Sequence, residues 1–179
     1  MKNFKINWLI VMACVIYMMP LFGQSDSKNN KVIADSKTAK AEFIAADGLM
    51  KSLFENAYGY VIFPNVGKGG IGVGGAAGSG VVYERNNMIG MAKMSQVSVG
   101  FQAGGQAYRE VIFFESKKEL DRFKSSQLEF SAEVSAVAVT AGASAKAKYT
   151  KGVMVFTMQK GGLMYEASVG GQKFKFKKM

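Results

Sequence analysis

The sequence predicts an α+β domain, mainly antiparallel β, in which a curved or closed sheet of about nine or ten short strands carries an N-terminal helix and one short inserted helix. Three observations carry this expectation. Between positions 31 and 57 apolar residues recur at three- and four-residue steps, the period of one helix face. Beyond Tyr58, short runs of β-branched and aromatic residues are separated by glycine and asparagine turn signals. From Gly70 to Gly80 every second residue is Gly or Ala, which makes a strand or hairpin with one nearly bare face. A chain of 179 residues has room for one such domain. Its expected division is a signal segment over 1–23, a polar linker over 24–30 and a single domain over 31–179.

At the N-terminus, Lys2 and Lys5 precede an apolar run from Ile6 to Phe22, closed by Pro20 and Gly23. Basic, apolar, then small is the order of a secretory signal, with the cut expected after Gly23 and Gln24 opening the mature chain. An uncleaved anchor is the alternative, although the run is short of the roughly 20 apolar residues a spanning helix needs. Cys14, the sole cysteine, lies inside this run, and the chain has no histidine. The mature chain therefore has no disulfide, no thiol nucleophile and no imidazole, which excludes Ser-His-Asp and Cys-His catalysis and the usual zinc site.

The first helix is read from Val32, Ala39, Phe43, Ala46, Met50, Leu53 and Ala57, with Gly48 dividing it. Its polar face sets Lys31, Lys37, Lys40 and Lys51 against Asp35, Glu42, Asp47 and Glu55. A membrane-surface helix has a lysine-rich polar face, so this balanced one is expected to pack on its own domain. A buried strand at 60–63 closes at Pro64-Asn65. The glycine-faced segment to Tyr83 follows, closely approached by neighbouring backbone, and Asn86-Asn87 turns the chain. A half-buried strand at 97–103 and a buried one at 111–114 lead to Ser116 and Glu119, a capping box opening a helix to about Ser125. Two strands over 130–149, a hairpin of 153–158 with 163–169, and a last strand at 173–177 complete the order.

Gly67-Lys68-Gly69-Gly70-Ile71-Gly72 matches G-x-G-x-x-G, but a dinucleotide turn must open a helix and glycine here continues every second residue. Glu110, Glu115, Glu119, Asp121, Glu129 and Glu133 cluster in sequence, mostly beside the short helix, and read as a solvated helix face. No metal spacing, cofactor motif or catalytic motif appears, so no enzyme, cofactor or metal is expected.

The formal net charge of +10 is unevenly spread. From Gln24 to Ala145 thirteen basic residues meet twelve acids, whereas from Lys146 to Met179 eight lysines meet one acid, Glu166. Such an excess points to an anionic partner. The export signal and the use of lysine in place of arginine argue against nucleic acid, which leaves anionic phospholipid or another envelope polyanion. The candidate contact residues are Lys146, Lys148, Lys151, Lys160, Lys173 and Lys175. Alternation puts 146 with 148, and 173 with 175, on a common side of their strands. Between the last lysines, Phe174 and Phe176 read either as part of a closing edge strand whose lysines discourage aggregation or as apolar anchors beside a cationic strip at a membrane.

Tyr58-Gly-Tyr-Val-Ile-Phe-Pro64 followed by Gly67-Lys-Gly-Gly-Ile-Gly-Val-Gly-Gly75 resembles the signature of the SYLF domain. Ser98-Val-Gly-Phe-Gln-Ala-Gly-Gly-Gln-Ala107 before Val111-Ile-Phe-Phe114 is similar to a strand pair of the same family, and Ser131–Ala141 and Gly161-Gly162-Leu163 are similar to its later segments. The resemblance covers roughly residues 31–171. It implies a lipid-binding module of the small exported bacterial kind, in a family with phosphoinositide-binding and actin-associated eukaryotic members. Together the readings predict an exported, non-enzymatic protein of the periplasm or medium that meets anionic phospholipid surfaces peripherally. The alternative is a small outer-membrane β-barrel or a structural envelope protein; against a barrel stand the two helices, strands of five to seven residues and the lysine-rich last strand.

Overall fold

The computed structural model describes residues 23–71, 73–99, 104–128, 135–160 and 171–179. Helix α1 (Gly23–Ala46) begins at Gly23, so residues 24–30, expected as a linker, are helical. Asp47-Gly48-Leu49 breaks the chain before helix α2 (Met50–Asn56), the division expected at Gly48. Ser36, Ala39 and Phe43 form the buried stripe of α1, and Met50 and Phe54 that of α2. The residues from Val32 to Met179 form one compact unit.

Seven strands follow: β1 (Gly59–Ile71), β2 (Val73–Glu84), β3 (Asn87–Val99), β4 (Gly104–Phe114), β5 (Ala136–Ala138), β6 (Val153–Gln159) and β7 (Gln172–Lys178). Helix α3 (Lys117–Lys124) lies between β4 and β5. The strands form one sheet in the order β5-β6-β4-β1-β2-β3-β7, antiparallel except for the β5–β6 pair. Against the expected nine or ten short strands and closed sheet, the described residues form seven strands in one open sheet with β5 and β7 at its edges.

One expected break is a bulge. Pro64-Asn65 does not end a strand. The register of β1 shifts there toward both neighbours, between Ile62 and Asn65 against β2 and between Phe63 and Val66 against β4. Proline has no N–H for the ladder, and a bulge lets an interior strand accept it. The result is strands of 13, 12, 13 and 11 residues for β1 to β4. Bulges also raise local twist and bend a strand, and this sheet curls. Gln172 of the edge strand β7 hydrogen-bonds Glu110 of β4, although β1, β2 and β3 separate the two in the sheet order. Over 130–149 the two expected strands are replaced, in the described part, by the three-residue β5 and a 3₁₀ turn at Ala143–Lys146. Residues 1–22 of the signal segment expected over 1–23, and the strand expected at 163–169, lie outside the described residues.

Each face of the sheet has an apolar, covered area. Tyr60, Ile62, Val111, Phe113, Met154 and Phe156 pack with Ala39, Phe43, Met50 and Phe54 of α1 and α2. On the concave face Val61, Phe63, Val66, Val82, Met94, Ile112, Phe114 and Phe174 pack with Leu120 and Phe123 of α3. The Phe174 ring sits 5.1 Å from Phe123 and 6.0 Å from Phe63. The expected capping box opens α3: Ser116 Oγ accepts from the Lys118 N–H at 3.2 Å and donates to Glu119. Lys40 ties α1 to the sheet, donating to the Tyr60 hydroxyl at 2.8 Å and to Asn86 Oδ1 at 3.2 Å, 4.9 Å from the Phe54 and Tyr60 ring centres. Burial beside those rings holds its ammonium pKa below the ordinary lysine value, an effect that Glu55 opposes.

Candidate functional site

Alternation along β7 sorts its side chains. Gln172 and Phe174 are buried on the concave face and Phe176 is half-buried, while Lys173, Lys175 and Lys177 point outward and are exposed. Phe174 is a core residue that closes the concave face against Phe63 and Phe123, and the half-buried Phe176 packs against the same core, so the reading of the two as membrane anchors is corrected.

Register then fixes what lies beside the lysines. Lys93 of β3 is directly opposite Lys175, Ser95 opposite Lys173 and Met91 opposite Lys177. One strand further, Ser79 faces Lys93 and Ala77 faces Ser95. The outward surface of β2, β3 and β7 therefore bears Lys93, Lys173, Lys175 and Lys177 on a ground of small residues, Ala77, Ser79 and Ser95. At one end stands Val97, 74% exposed. Toward Val81 and Met91, which are buried, the same face passes under cover. The only acid on these three strands is Glu84 at the end of β2, which accepts from the Tyr58 hydroxyl at 2.7 Å.

The other four sequence candidates stand elsewhere. Lys146 ends the 3₁₀ turn Ala143–Lys146, and Lys148 follows it; both are exposed. Asp47 holds this segment onto the α1–α2 corner, accepting from Ser144 N–H at 2.9 Å and Ser144 Oγ at 2.6 Å. Those bonds, with one from Leu49 N–H, hold the Asp47 carboxyl below its ordinary pKa. Lys151 occupies the turn before β6 with φ 53°, and Lys160 follows β6 and hydrogen-bonds Asn65. β5 and β6 lie at the opposite end of the strand order from β7. Of the six candidates, only Lys173 and Lys175 share a strand face, and they share it with Lys93 and Lys177. Sequence reading could have retained Lys177 by alternation with 173 and 175. Lys93 required the β3–β7 register, which no local pattern encodes.

A second feature lies inside the curl. Gln172 Nε2 donates to Glu110 Oε2 at 2.9 Å, and the Gln172 side chain also bonds the Tyr108 hydroxyl. Thr157 is opposite Glu110 and Gln96 opposite Gln172. Glu110 and Gln172 are 0% exposed, and Glu110 Oε1, Gln172 Oε1 and Thr157 Oγ1 have no hydrogen-bond partner among the described residues. Burial pushes the Glu110 carboxyl up to about 7, against a smaller lowering by the Gln172 bond. The sequence reading put Glu110 with a solvated helix face. Its position in the alternating run Tyr108, Glu110, Ile112, Phe114, all on one strand face, is the signal that places it in the core.

The fold and its outer face define a helix-backed, curled-sheet α+β domain with a lysine-bearing surface. Residues 95–178 match the family described as "Ysc84: Las17-binding protein actin regulator". Beta cell expansion factor A of Aeromonas veronii is 32% identical over 125 residues, 69% of this chain and 48% of the relative, so the chain spans about half the length of that relative. The chain is thus similar to the SYLF, or Ysc84, family.

Proposed function

We propose that this is an exported, non-enzymatic SYLF domain that associates peripherally with anionic phospholipid surfaces of the periplasm or medium. The observation that carries the reading is the cationic outer face of β3 and β7, two strands whose sequences hold Lys93, Lys173, Lys175 and Lys177 and no acid. Similarity to that family supports a lipid-binding or actin-regulator-like role; the basic, apolar, small order of the first residues separates the chain from a cytoskeleton and favours lipid. The non-enzymatic reading rests on a composition without histidine and with Cys14 as sole thiol.

The β-barrel alternative loses one argument and gains another. Strands β1 to β4, of 11 to 13 residues, meet the roughly 9–11 needed to cross a bilayer, whereas β5, β6 and β7, of 3, 7 and 7 residues, do not, so strand length opposes a barrel only in these last three. Against it stands the outward face of β3 and β7, where a barrel would present apolar residues to lipid. A lysine there costs about 2–4 kcal/mol at the bilayer midplane, and this face has four. No described helix is long and apolar enough to cross a membrane.

Flotation with vesicles of phosphatidylglycerol and phosphatidylcholine should carry the protein upward, and pure phosphatidylcholine vesicles should not. Equal flotation with both overturns the anionic-surface reading. For export, protein recovered from the envelope or medium should begin at or near Gln24 by N-terminal sequencing. Recovery with residues 1–22 retained contradicts cleavage and makes the chain anchored.

A further inference from the structure

We infer that the outward face of β3 and β7, with Lys93, Lys173, Lys175 and Lys177 as its contact residues, is the surface by which the domain docks on an anionic phospholipid bilayer. The inference rests on the lipid-binding reading above and assigns it a face.

Geometry makes the four lysines one cationic patch. Successive outward residues of a strand are about 6.6–6.8 Å apart, so the β7 lysines span about 13 Å. Lys93 stands directly across from Lys175, a pairing distance of about 5 Å. Each is thus within about a Debye length of its neighbours. Like charges directly opposite on one sheet face repel, and an apposed layer of phosphate relieves that repulsion.

Edge protection explains only part of the patch. Lysines on β7 guard an edge strand against pairing with another sheet. Lys93, however, lies on β3, which is paired on both sides, by β2 and β7. A lysine there guards no edge. Its small neighbours Ala77, Ser79 and Ser95 leave the ground between the cations low, which suits a broad planar partner more than a ligand that needs a groove. The aromatic side of β7 stays in the core, so docking requires no strand movement and is governed by charge.

The test uses the full chain in four forms: wild type, Lys93→Gln/Lys173→Gln/Lys175→Gln/Lys177→Gln, Lys146→Gln/Lys148→Gln/Lys151→Gln, and the arginine counterpart of the first variant. The apolar N-terminal run is common to all four, so differences in partition onto phosphatidylglycerol-rich vesicles isolate the substituted charges. Each lysine near an anionic surface contributes about 1 kcal/mol. The β3–β7 variant should therefore lose about 10²- to 10³-fold in partition coefficient, while the second variant stays within about threefold of wild type. The four-arginine counterpart should keep wild-type partitioning, which separates loss of charge from loss of fold, and circular dichroism should match across all forms. Wild-type partitioning by the β3–β7 variant, or the larger loss in the second variant, overturns the face assignment while leaving lipid binding in place. Failure of the wild type to partition on any anionic vesicle overturns the lipid reading itself.

Discussion

Replacing Gly80 by valine is expected to lower the melting temperature by roughly 6–12 °C, the equivalent of about 3 kcal/mol in a chain of this size. A Cβ built on Gly80 comes 2.6 Å from the Ile62 carbonyl oxygen and 2.7 Å from Cδ1 of Phe63. The first neighbour is backbone of the central strand at its bulge and cannot retreat without breaking β1–β2 pairing. The second is a core ring with 0% exposure. Tightness falls away from this position: on the same face a Cβ at Gly78 meets Val66 Cγ2 at 3.1 Å, while on the opposite face one at Gly75 meets the Gln96 carbonyl at 3.2 Å and one at Gly67 meets nothing within 4 Å. Gly67→Ala is the control and should shift stability by no more than about 0.5–1 kcal/mol. Thermal melts of both variants decide the matter. A Gly80→Val protein that melts like wild type would mean that Phe63 does not lie over this position in solution.

The second large effect is on pH dependence. Glu110 has an ordinary pKa of 4.5 and a folded one of about 7, raised by burial. In the window between those values the folded state holds a proton that the unfolded chain has released, so stability falls as pH rises from about 4.5 through 7 and levels off above. At about 1.36 kcal/mol per pKa unit the loss is about 3 kcal/mol. Tyr108, Thr157, Gln96 and Gln172 are the polar groups facing it from β4, β6, β3 and β7, and none is charged near neutrality. The carboxyls held low, Asp47, Glu119 and Asp121, lose their contribution only at more acid pH. Glu110→Gln keeps the shape and removes the titration. Melts at pH 5, 6, 7 and 8 should show wild-type stability declining and the variant nearly flat, the variant being the more stable at pH 8. A wild type equally stable at pH 5 and pH 8 contradicts a protonated Glu110.

What was legible in the sequence was local. Ser116 and Glu119 are three residues apart and bond within one turn, so the cap of α3 could be read from spacing alone. Gly48 broke the helix where expected, and of the period-two glycines Gly70 lies in β1 and Gly74, Gly78 and Gly80 lie in β2. What escaped depended on partners distant in the chain. Pro64-Asn65 looks like a strand end until two neighbouring strands are present to hold a bulge. The curl that brings Gln172 onto Glu110, across 62 residues of sequence, leaves no periodic trace. The lysines show the same division. Alternation grouped 173 with 175, but only the β3–β7 register adds Lys93, and only the 3₁₀ turn takes Lys146 out of a strand.

The most direct test of peripheral binding to an anionic surface is the salt dependence of the wild-type partition coefficient on phosphatidylglycerol vesicles. Exposed charges act over a Debye length that shortens from about 30 Å at 0.01 M salt to about 3 Å at 1 M. The partition coefficient should therefore fall steadily, by at least about tenfold between 0.05 M and 0.5 M salt, and recover on dilution. A coefficient that holds constant across that range would place the protein in the bilayer by apolar contact and contradict the account.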